Sequence, residues 1–312
     1  MSIEDKKVFV AGGTGFVGKA VIRKLKERSI NYVTGSLSQG IDFRNFEQVK
    51  AFFQKEKPDY VINCAAFVGG IQFGLEHLGE IFFNNTLMSA YLMEGARLSG
   101  VKRFVNPISN CAYPAHLSKF KEKDFWSGPL HESVLAYGAV RKMSWVQGWA
   151  YARQYNFDSV HLILPNMYGP GDYFDEKRSH ALGALVMKFY EAKKQGKPKV
   201  IVWGTGKPIR EWLYVDDGAE ALIKALEIPL AIEPINIGRG EGISIKELAE
   251  LIKEIVGYQG KIVLDKTKPD GALCKIMVVD KMKEIFNWTP STTLKEGIQK
   301  TVEDYKHEKR SH

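Results

Sequence analysis

Tyr137 and Arg141 stand four residues apart in Tyr137-Gly138-Ala139-Val140-Arg141. On a helix that spacing puts both on one face, so a cation sits beside the phenol and favours negative charge on its oxygen. A tyrosine held this way can act as an acid–base group near neutral pH. Ser109 and Cys111, a hydroxyl and a thiol two residues apart, follow the apolar run Arg103-Phe104-Val105. If that run is a strand of a parallel sheet, both fall at its carboxyl end, where such sheets bind ligands. A third group of residues has no side-chain chemistry. Val8-Phe9-Val10-Ala11-Gly12-Gly13-Thr14-Gly15-Phe16-Val17-Gly18 runs from a buried strand into a helix carrying Val21, Ile22 and Leu25. Gly12 permits the tight turn, Gly15 lets backbone approach a pyrophosphate, and Gly18 lets helix pack on strand, with the helix N-terminus facing the anion. Strand, glycines and helix in this order mark a dinucleotide site.

The elements that position these groups alternate strand and helix, as a parallel sheet covered on both faces requires. Ile30-Asn31-Tyr32-Val33-Thr34 reads as the second strand. It is followed by Gly35-Ser36-Leu37-Ser38, with neither the acid that grips the ribose of NAD nor an arginine. This favours NADP and leaves NAD open. Asp42-Phe43-Arg44-Asn45 precedes a helix that Asn45 and Gln48 cap; Asp42 is either an adenine partner or a plain loop aspartate. Tyr60 to Ala66 reads as the third strand, and the small residues Cys64-Ala65-Ala66 and Gly69-Gly70 let backbone pass close to a cofactor. A helix from about Leu78 to Ser99 carries Asn84 and Asn85.

The second half of the chain reads as a further lobe joined to the same sheet. Asp158 to Leu164 is a strand, and Pro165-Asn166-Met167-Tyr168-Gly169-Pro170-Gly171 is a turn-rich exit from it. His180 opens a helix with Leu182, Leu185, Val186 and Phe189 on its apolar face, where a histidine is ordinarily a cap or a surface residue. Val200-Ile201-Val202-Trp203 is a strand, after which Gly204-Thr205-Gly206 turns the chain toward Arg210. A guanidinium takes phosphate oxygens in pairs, and Lys188 is the second candidate for a diphosphate. Asp216 or Asp217 caps the next helix, Ser244 and Glu247 form a capping box, Pro234 to Gly238 is a late strand, and Leu294 to Tyr305 is a terminal helix.

Composition bounds the function. With 312 residues and 45% hydrophobic content the chain can bury a large core in two lobes. The net charge of +8 is dispersed among acids with no basic stripe, which argues against nucleic acid and fits a polyanionic small substrate. Cys64, Cys111 and Cys274 are odd in number and lack metal-ligand spacing, so reduced thiols without a metal are expected. No apolar run crosses a bilayer and Met1 to Lys7 lacks a secretion signal, which predicts a cytoplasmic protein away from membranes.

The glycine pattern, Cys64-Ala65-Ala66, Ser109, and the tyrosine with its cation together resemble the extended short-chain dehydrogenase/reductase superfamily. Further stretches resemble its branch that epimerises and then reduces GDP-linked 4-keto sugars. These are Ala66-Phe67-Val68-Gly69-Gly70-Ile71, Ser109 to Pro114, Asn166 to Pro170, Ser179-His180, Val202 to Gly206 with Arg210-Glu211, Val215-Asp216-Asp217, and Lys268-Pro269-Asp270-Gly271. The resemblance covers nearly the whole chain. It implies an α/β fold, a Rossmann-type doubly wound parallel sheet over 1–165 with 214–240 that binds NAD(P). A smaller C-terminal α/β lobe over 166–213 with 241–312 would bind the nucleotide sugar.

The resemblance also implies roles. The cofactor would lie along Gly12, Thr14, Gly15, Phe16, Val17, Gly18, Ser36, Asp42, Phe43, Ala65, Ala66, Asn85, Tyr137, Arg141, Pro165, Asn166 and Met167. The substrate would meet Asn166, Lys188, Trp203, Arg210 and Asp270. A 4-keto group acidifies the hydrogens on its neighbouring carbons. Cys111 and His180 would be the acid–base pair that inverts those carbons, before Tyr137 protonates the alkoxide with Ser109 as hydrogen-bond donor. A homodimer through a four-helix bundle is implied, from the helices carrying Tyr91, Met93, Trp145, Trp149 and Tyr155. Three departures stand out: Arg141 where the family has lysine, Cys274 where this branch typically has arginine, and Thr14 where some relatives have arginine. Asn110-Cys111 after Ser109 differs from the Asp-Glu pair of the 4,6-dehydratases. A C4 reductase without epimerisation, an epimerase with tightly bound NAD, and a non-catalytic NAD(P) sensor stay open.

Overall fold

The computed structural model describes residues 3–174, 179, 181–229, 232–268 and 270–309. The first half alternates as expected: β1 (Val8–Ala11), α1 (Phe16–Glu27), β2 (Tyr32–Gly35), α2 (Phe46–Glu56), β3 (Tyr60–Asn63), the short α3 (Ile71–Glu76), α4 (Leu78–Leu98), β4 (Arg103–Ser109), β5 (Lys119–Phe120), α5 (Leu135–Tyr155) and β6 (Ser159–Leu164). The second half adds β7 (Asn166–Tyr168), α6 (Ala181–Lys194), β8 (Lys199–Trp203), β9 (Ile209–Arg210), β10 (Trp212–Tyr214), α7 (Val215–Lys224), β11 (Ile235–Asn236), β12 (Ile243–Ser244), α8 (Ile245–Val256), β13 (Lys261–Asp265), β14 (Cys274–Met277), α9 (Asp280–Phe286) and α10 (Leu294–Glu308).

Six strands form one all-parallel sheet in the order β11-β6-β4-β3-β1-β2. The strands are apolar at successive positions because both faces are covered. Val8 and Val10 of β1 point into one cluster with α1, α7 and α9, while Phe9 and Ala11 point into the opposite one with α2 and α4. Phe9 is the pivot of the second face, 4.5 Å from the Phe52 ring and edge-on to Phe53 at 5.5 Å. β2 and β3 lie on opposite sides of β1, so the chain reverses direction across the sheet at β1. Ligands of doubly wound sheets bind at such a switch point.

A separate cluster joins α6, α8 and α10 with β8 and the aromatic residues Tyr168, Trp212 and Tyr214. The segment from Met277 to Phe286 packs instead with the main sheet, through Met277, Val279, Met282 and Phe286.

Several local expectations need adjustment. The exit after β6 is not only turns: Asn166–Tyr168 is a strand, because it pairs in parallel with β10. The second strand begins two residues later than expected, and the third ends at Asn63. Neither Asp216 nor Asp217 caps α7, whose N-cap is Tyr214. Asp216 is ion-paired to Arg23 of α1 and Asp217 accepts from the Ser291 and Thr292 amides, so both carboxylates serve contacts between elements. The Ser244–Glu247 capping box forms, and Asn45 caps α2 while Gln48 accepts from the Asp42 amide at 2.8 Å.

Candidate active site

The glycine turn lies at the carboxyl end of β1. Gly12 has φ +75°, and a Cβ there would come within 2.8 Å of the Ala65 backbone. A Cβ on Gly18 would sit 2.2 Å from the Gly12 carbonyl oxygen, so only glycine lets α1 seat on the turn. Gly15 is the N-cap of α1, with no acid in the first turn to oppose an anion at the free amides. Beside this turn the hydroxyls of Thr14, Ser38 and Ser36 form a row, 3.1 Å and 3.0 Å apart, and Ser36 is buried.

Three residues expected along the cofactor have partners within the chain. Both Asp42 carboxylate oxygens accept from the Arg44 side chain, at 2.8 and 2.7 Å, and these hydrogen bonds hold the carboxyl below its usual range. Arg44 also donates to Asn84 at 3.1 Å. The Phe43 ring is buried edge-on to Phe9, which leaves only its backbone to meet a cofactor. Asn85, also buried, acts through a loop: its amide donates to the Phe67 and Ile81 carbonyls, and its oxygen accepts from the Phe67 amide at 2.9 Å. That clamp fixes the segment after Ala65 and Ala66 against α4. Burial pushes the neighbouring Cys64 thiol up to about 12, which makes it an inert packing residue.

Ser109 ends β4, and its hydroxyl accepts from the Cys111 amide at 3.2 Å. The head of α5 rests directly on this turn, since a Cβ on Gly138 would be 2.6 Å from the Cys111 carbonyl oxygen. Tyr137 precedes that glycine, in the first turn of the helix that rests on the Ser109–Cys111 turn. Arg141 donates from Nη2 to the Tyr137 hydroxyl at 3.0 Å, and its guanidinium carbon is 4.8 Å from the ring centroid. Arg141 is 4% exposed, and its Nε is buried without a partner. A buried donor left unpaired is costly, so this atom calls for an acceptor that the protein chain does not supply. Lys142 cannot stand in for the missing lysine. It donates to the Phe125 carbonyl and lies 4.4 Å from the Trp126 ring, and burial pushes its ammonium down.

The expected substrate residues gather in the second half. Trp203 is exposed, with the Lys188 and Lys268 ammoniums at 5.2 and 5.3 Å from its ring. The Asp270 carboxylate accepts from the Thr205 amide at 2.6 Å and hydroxyl at 2.7 Å, bonds that hold its carboxyl below the usual range. Its carbonyl accepts from Arg210 at 3.4 Å. Burial pushes the Arg210 guanidinium down, partly offset by the nearby groups of Cys274, Asp270 and Cys111. Asn166 donates to the Glu211 carbonyl at 3.4 Å. Pro165 and Met167 flank it at the junction of β6 and β7. His180 lies outside the described residues.

Glu211, quoted above only as part of the resemblance, has a structural role that the sequence did not reveal. It is 1% exposed and accepts from the amides of Arg239 at 2.6 Å, Gly240 at 2.9 Å and Met277 at 2.6 Å. It thereby ties β14 and the loop after β11 to the residue beside Arg210. Burial nevertheless pushes its carboxyl up to about 7.

The family described as "NAD dependent epimerase/dehydratase family" matches residues 8–238. GDP-L-fucose synthase 1 of Arabidopsis thaliana is 37% identical over 98% of this chain and 94% of its own length. The structure of a GDP-L-fucose synthetase from Naegleria fowleri bound to NADP superposes with a TM-score of 0.90 at 29% identity, covering 100% of this chain and 96% of that one. A GDP-6-OMe-4-keto-L-xylo-heptose reductase from C. jejuni superposes with a TM-score of 0.92 at 28% identity, covering 99% of both chains.

Proposed function

Because the chain belongs to the NAD dependent epimerase/dehydratase family, we propose that it is an NADP-dependent epimerase–reductase of the GDP-L-fucose synthase type, acting on a GDP-linked 4-keto-deoxysugar. The observation that carries this reading is the Tyr137–Arg141 hydrogen bond at the head of the helix that rests, through Gly138, on the Ser109–Cys111 turn.

The residues fit a dinucleotide. The glycine turn and the free amides of α1 suit the pyrophosphate, and the unpartnered Arg141 Nε suits a ribose hydroxyl. NADPH, when bound, supplies the hydride for C4 of the sugar. Tyr137 donates its proton to the oxygen of that carbonyl, Ser109 offers its hydroxyl to the same oxygen, and Arg141 holds the phenol in place. Cys111 and His180 exchange protons with the carbons beside the ketone, which inverts them before reduction. Lys188, Trp203, Arg210 and Asn166 bind the nucleotide diphosphate portion, and Asp270 shapes the site by holding the Thr205 turn next to Trp203.

The cofactor belongs to the sheet domain, 1–165 with 214–240, and the nucleotide sugar to the lobe formed by 166–213 with 241–312, apart from the segment Met277 to Phe286 that packs with the sheet. We further propose a homodimer formed through α4 and α5. Leu78 and Phe82 on α4, and Met143, Val146 and Trp149 on α5, recur at helical spacing and are exposed, which supports a four-helix bundle. No helix among the described residues is long and apolar enough to cross a membrane. The compartment we propose is the cytoplasm, with no nucleic-acid or membrane partner.

Tyr137→Phe tests the reading. It should lower turnover by about 10² to 10⁴ while leaving NADPH binding intact. Unchanged turnover would exclude Tyr137 as the proton donor.

A further inference from the structure

We propose that Asn106 is a positioning residue that links the cofactor loop to the helix carrying Tyr137 and Arg141, so that the two are set relative to each other through one buried hydrogen-bond chain. The inference rests on the function proposed above for those two segments.

Asn63 on β3, Asn106 on β4, Ser144 on α5, and Ser159 and His161 on β6 are each at most 5% exposed. Five polar side chains beneath one site are unusual in a sheet whose neighbouring positions are Ile62, Val105 and Ile108. All five are paired, and the donors run one way. The Ala65 amide donates to Asn63 Oδ1 at 3.2 Å, and Asn63 Nδ2 donates to Asn106 Oδ1 at 3.3 Å. Asn106 Nδ2 donates to Ser144 Oγ at 2.9 Å and to His161 Nδ1 at 3.2 Å. Ser144 Oγ then donates to the Arg141 carbonyl at 2.8 Å.

The direction of these bonds settles the histidine. Because Asn106 Nδ2 can only donate, His161 Nδ1 accepts, and its proton lies on Nε2, facing Ser159 Oγ at 3.1 Å. Burial pushes His161 down to about 3, so the ring is neutral and this tautomer persists. Gly148 makes the approach of α5 to the sheet possible, since a Cβ there would sit 2.3 Å from His161 Nε2 and 2.4 Å from Ser159 Oγ.

One end of this chain is the backbone of Ala65, in the loop expected to meet the cofactor. The other is the backbone of Arg141. Aligned donors polarise one another, so each bond strengthens the next. Asn106 is the branch point, using its oxygen and both amide hydrogens. An apolar interior here would fold as well, because removing both partners of a buried hydrogen bond costs little. What the polar chain adds is a defined register between loop and helix.

Asn63 and Ser144 share no direct hydrogen bond, and both act through Asn106. The test is a double-mutant cycle with Asn63→Ala and Ser144→Ala, reading the NADPH dissociation constant by cofactor fluorescence alongside each variant's Tm. Breaking either link opens the same chain. Each single variant should therefore bind NADPH about 5-fold more weakly, and the double variant about 5-fold rather than about 25-fold. Ser144→Thr, which keeps the hydroxyl, should bind as the unaltered protein does and covers the case in which the double variant does not fold. Multiplying losses, unchanged binding in both single variants, or Ser144→Thr binding as weakly as Ser144→Ala would overturn the inference. An unaltered protein that does not bind NADPH would contradict the proposed function as well, whereas tight binding with an additive cycle would contradict this inference alone.

Discussion

Arg141 reaches back one helical turn to donate to the Tyr137 hydroxyl across 3.0 Å, while its own Nε remains buried and unpartnered. One end of the guanidinium serves the phenol and another donor remains for a ligand. A lysine could share its three hydrogens between the same two tasks from a single nitrogen; arginine divides them between separate atoms of a rigid plane. Arg141→Met should lower turnover by about 10² or more and weaken NADPH binding, because both contacts are lost. Arg141→Lys should recover most of the binding. Stopped-flow hydride transfer and fluorescence titration separate the two effects, and unaltered binding in Arg141→Met would contradict the second contact.

The hydroxyl row of Thr14, Ser36 and Ser38 is uncharged, and Arg44, the first cation after it in sequence, is committed to Asp42. A ribose 2′-phosphate is compatible with hydroxyl donors but not with a carboxylate in their place. Ser36→Asp should reduce the preference for NADPH over NADH in kcat/KM by about 10-fold or more, equivalent to about 1.4 kcal/mol. An unchanged ratio would place the phosphate elsewhere.

Glu211 has a consequence for stability against pH. Its carboxyl is pushed up to about 7 in the folded protein from an ordinary 4.5. The folded state therefore holds the proton more tightly than the unfolded chain, and stability from this group is lost as pH rises between these values. The loss is on the order of 3 kcal/mol at most. Compared with Glu211→Gln in urea unfolding, the unaltered protein should have its larger advantage at pH 5 and a smaller one at pH 7.5. An advantage that grew with pH would contradict the burial account.

The features legible in the sequence are those set by neighbouring residues. The strand–glycine–helix turn, the pairing of Tyr137 with Arg141 and the Ser244–Glu247 cap all depend on spacings of four residues or fewer within one element or turn. What was not legible depends on contacts between distant segments. Asp216 and Asp217 look like caps until Arg23 and the Ser291 and Thr292 amides compete for them. The sequence sets Asp42 two residues from Arg44 but does not show that Arg44 donates to both of its carboxylate oxygens. Asn106 lies among apolar strand residues and Glu211 between two short strands, and their partners come from distant segments of the chain. A polar residue in an apolar strand is the sequence signal that would have flagged Asn106.

The most direct test of the account is one incubation of the protein with GDP-4-keto-6-deoxy-mannose and NADPH in deuterated water, followed by NMR and mass analysis of the sugar. The account predicts NADPH consumption and a reduced product carrying deuterium at the carbons on either side of C4 and its ring neighbours, namely C3 and C5. Reduction without deuterium would restrict the chemistry to C4 and remove Cys111 and His180 from it. Cofactor binding with neither reduction nor exchange would contradict the assignment of this substrate class.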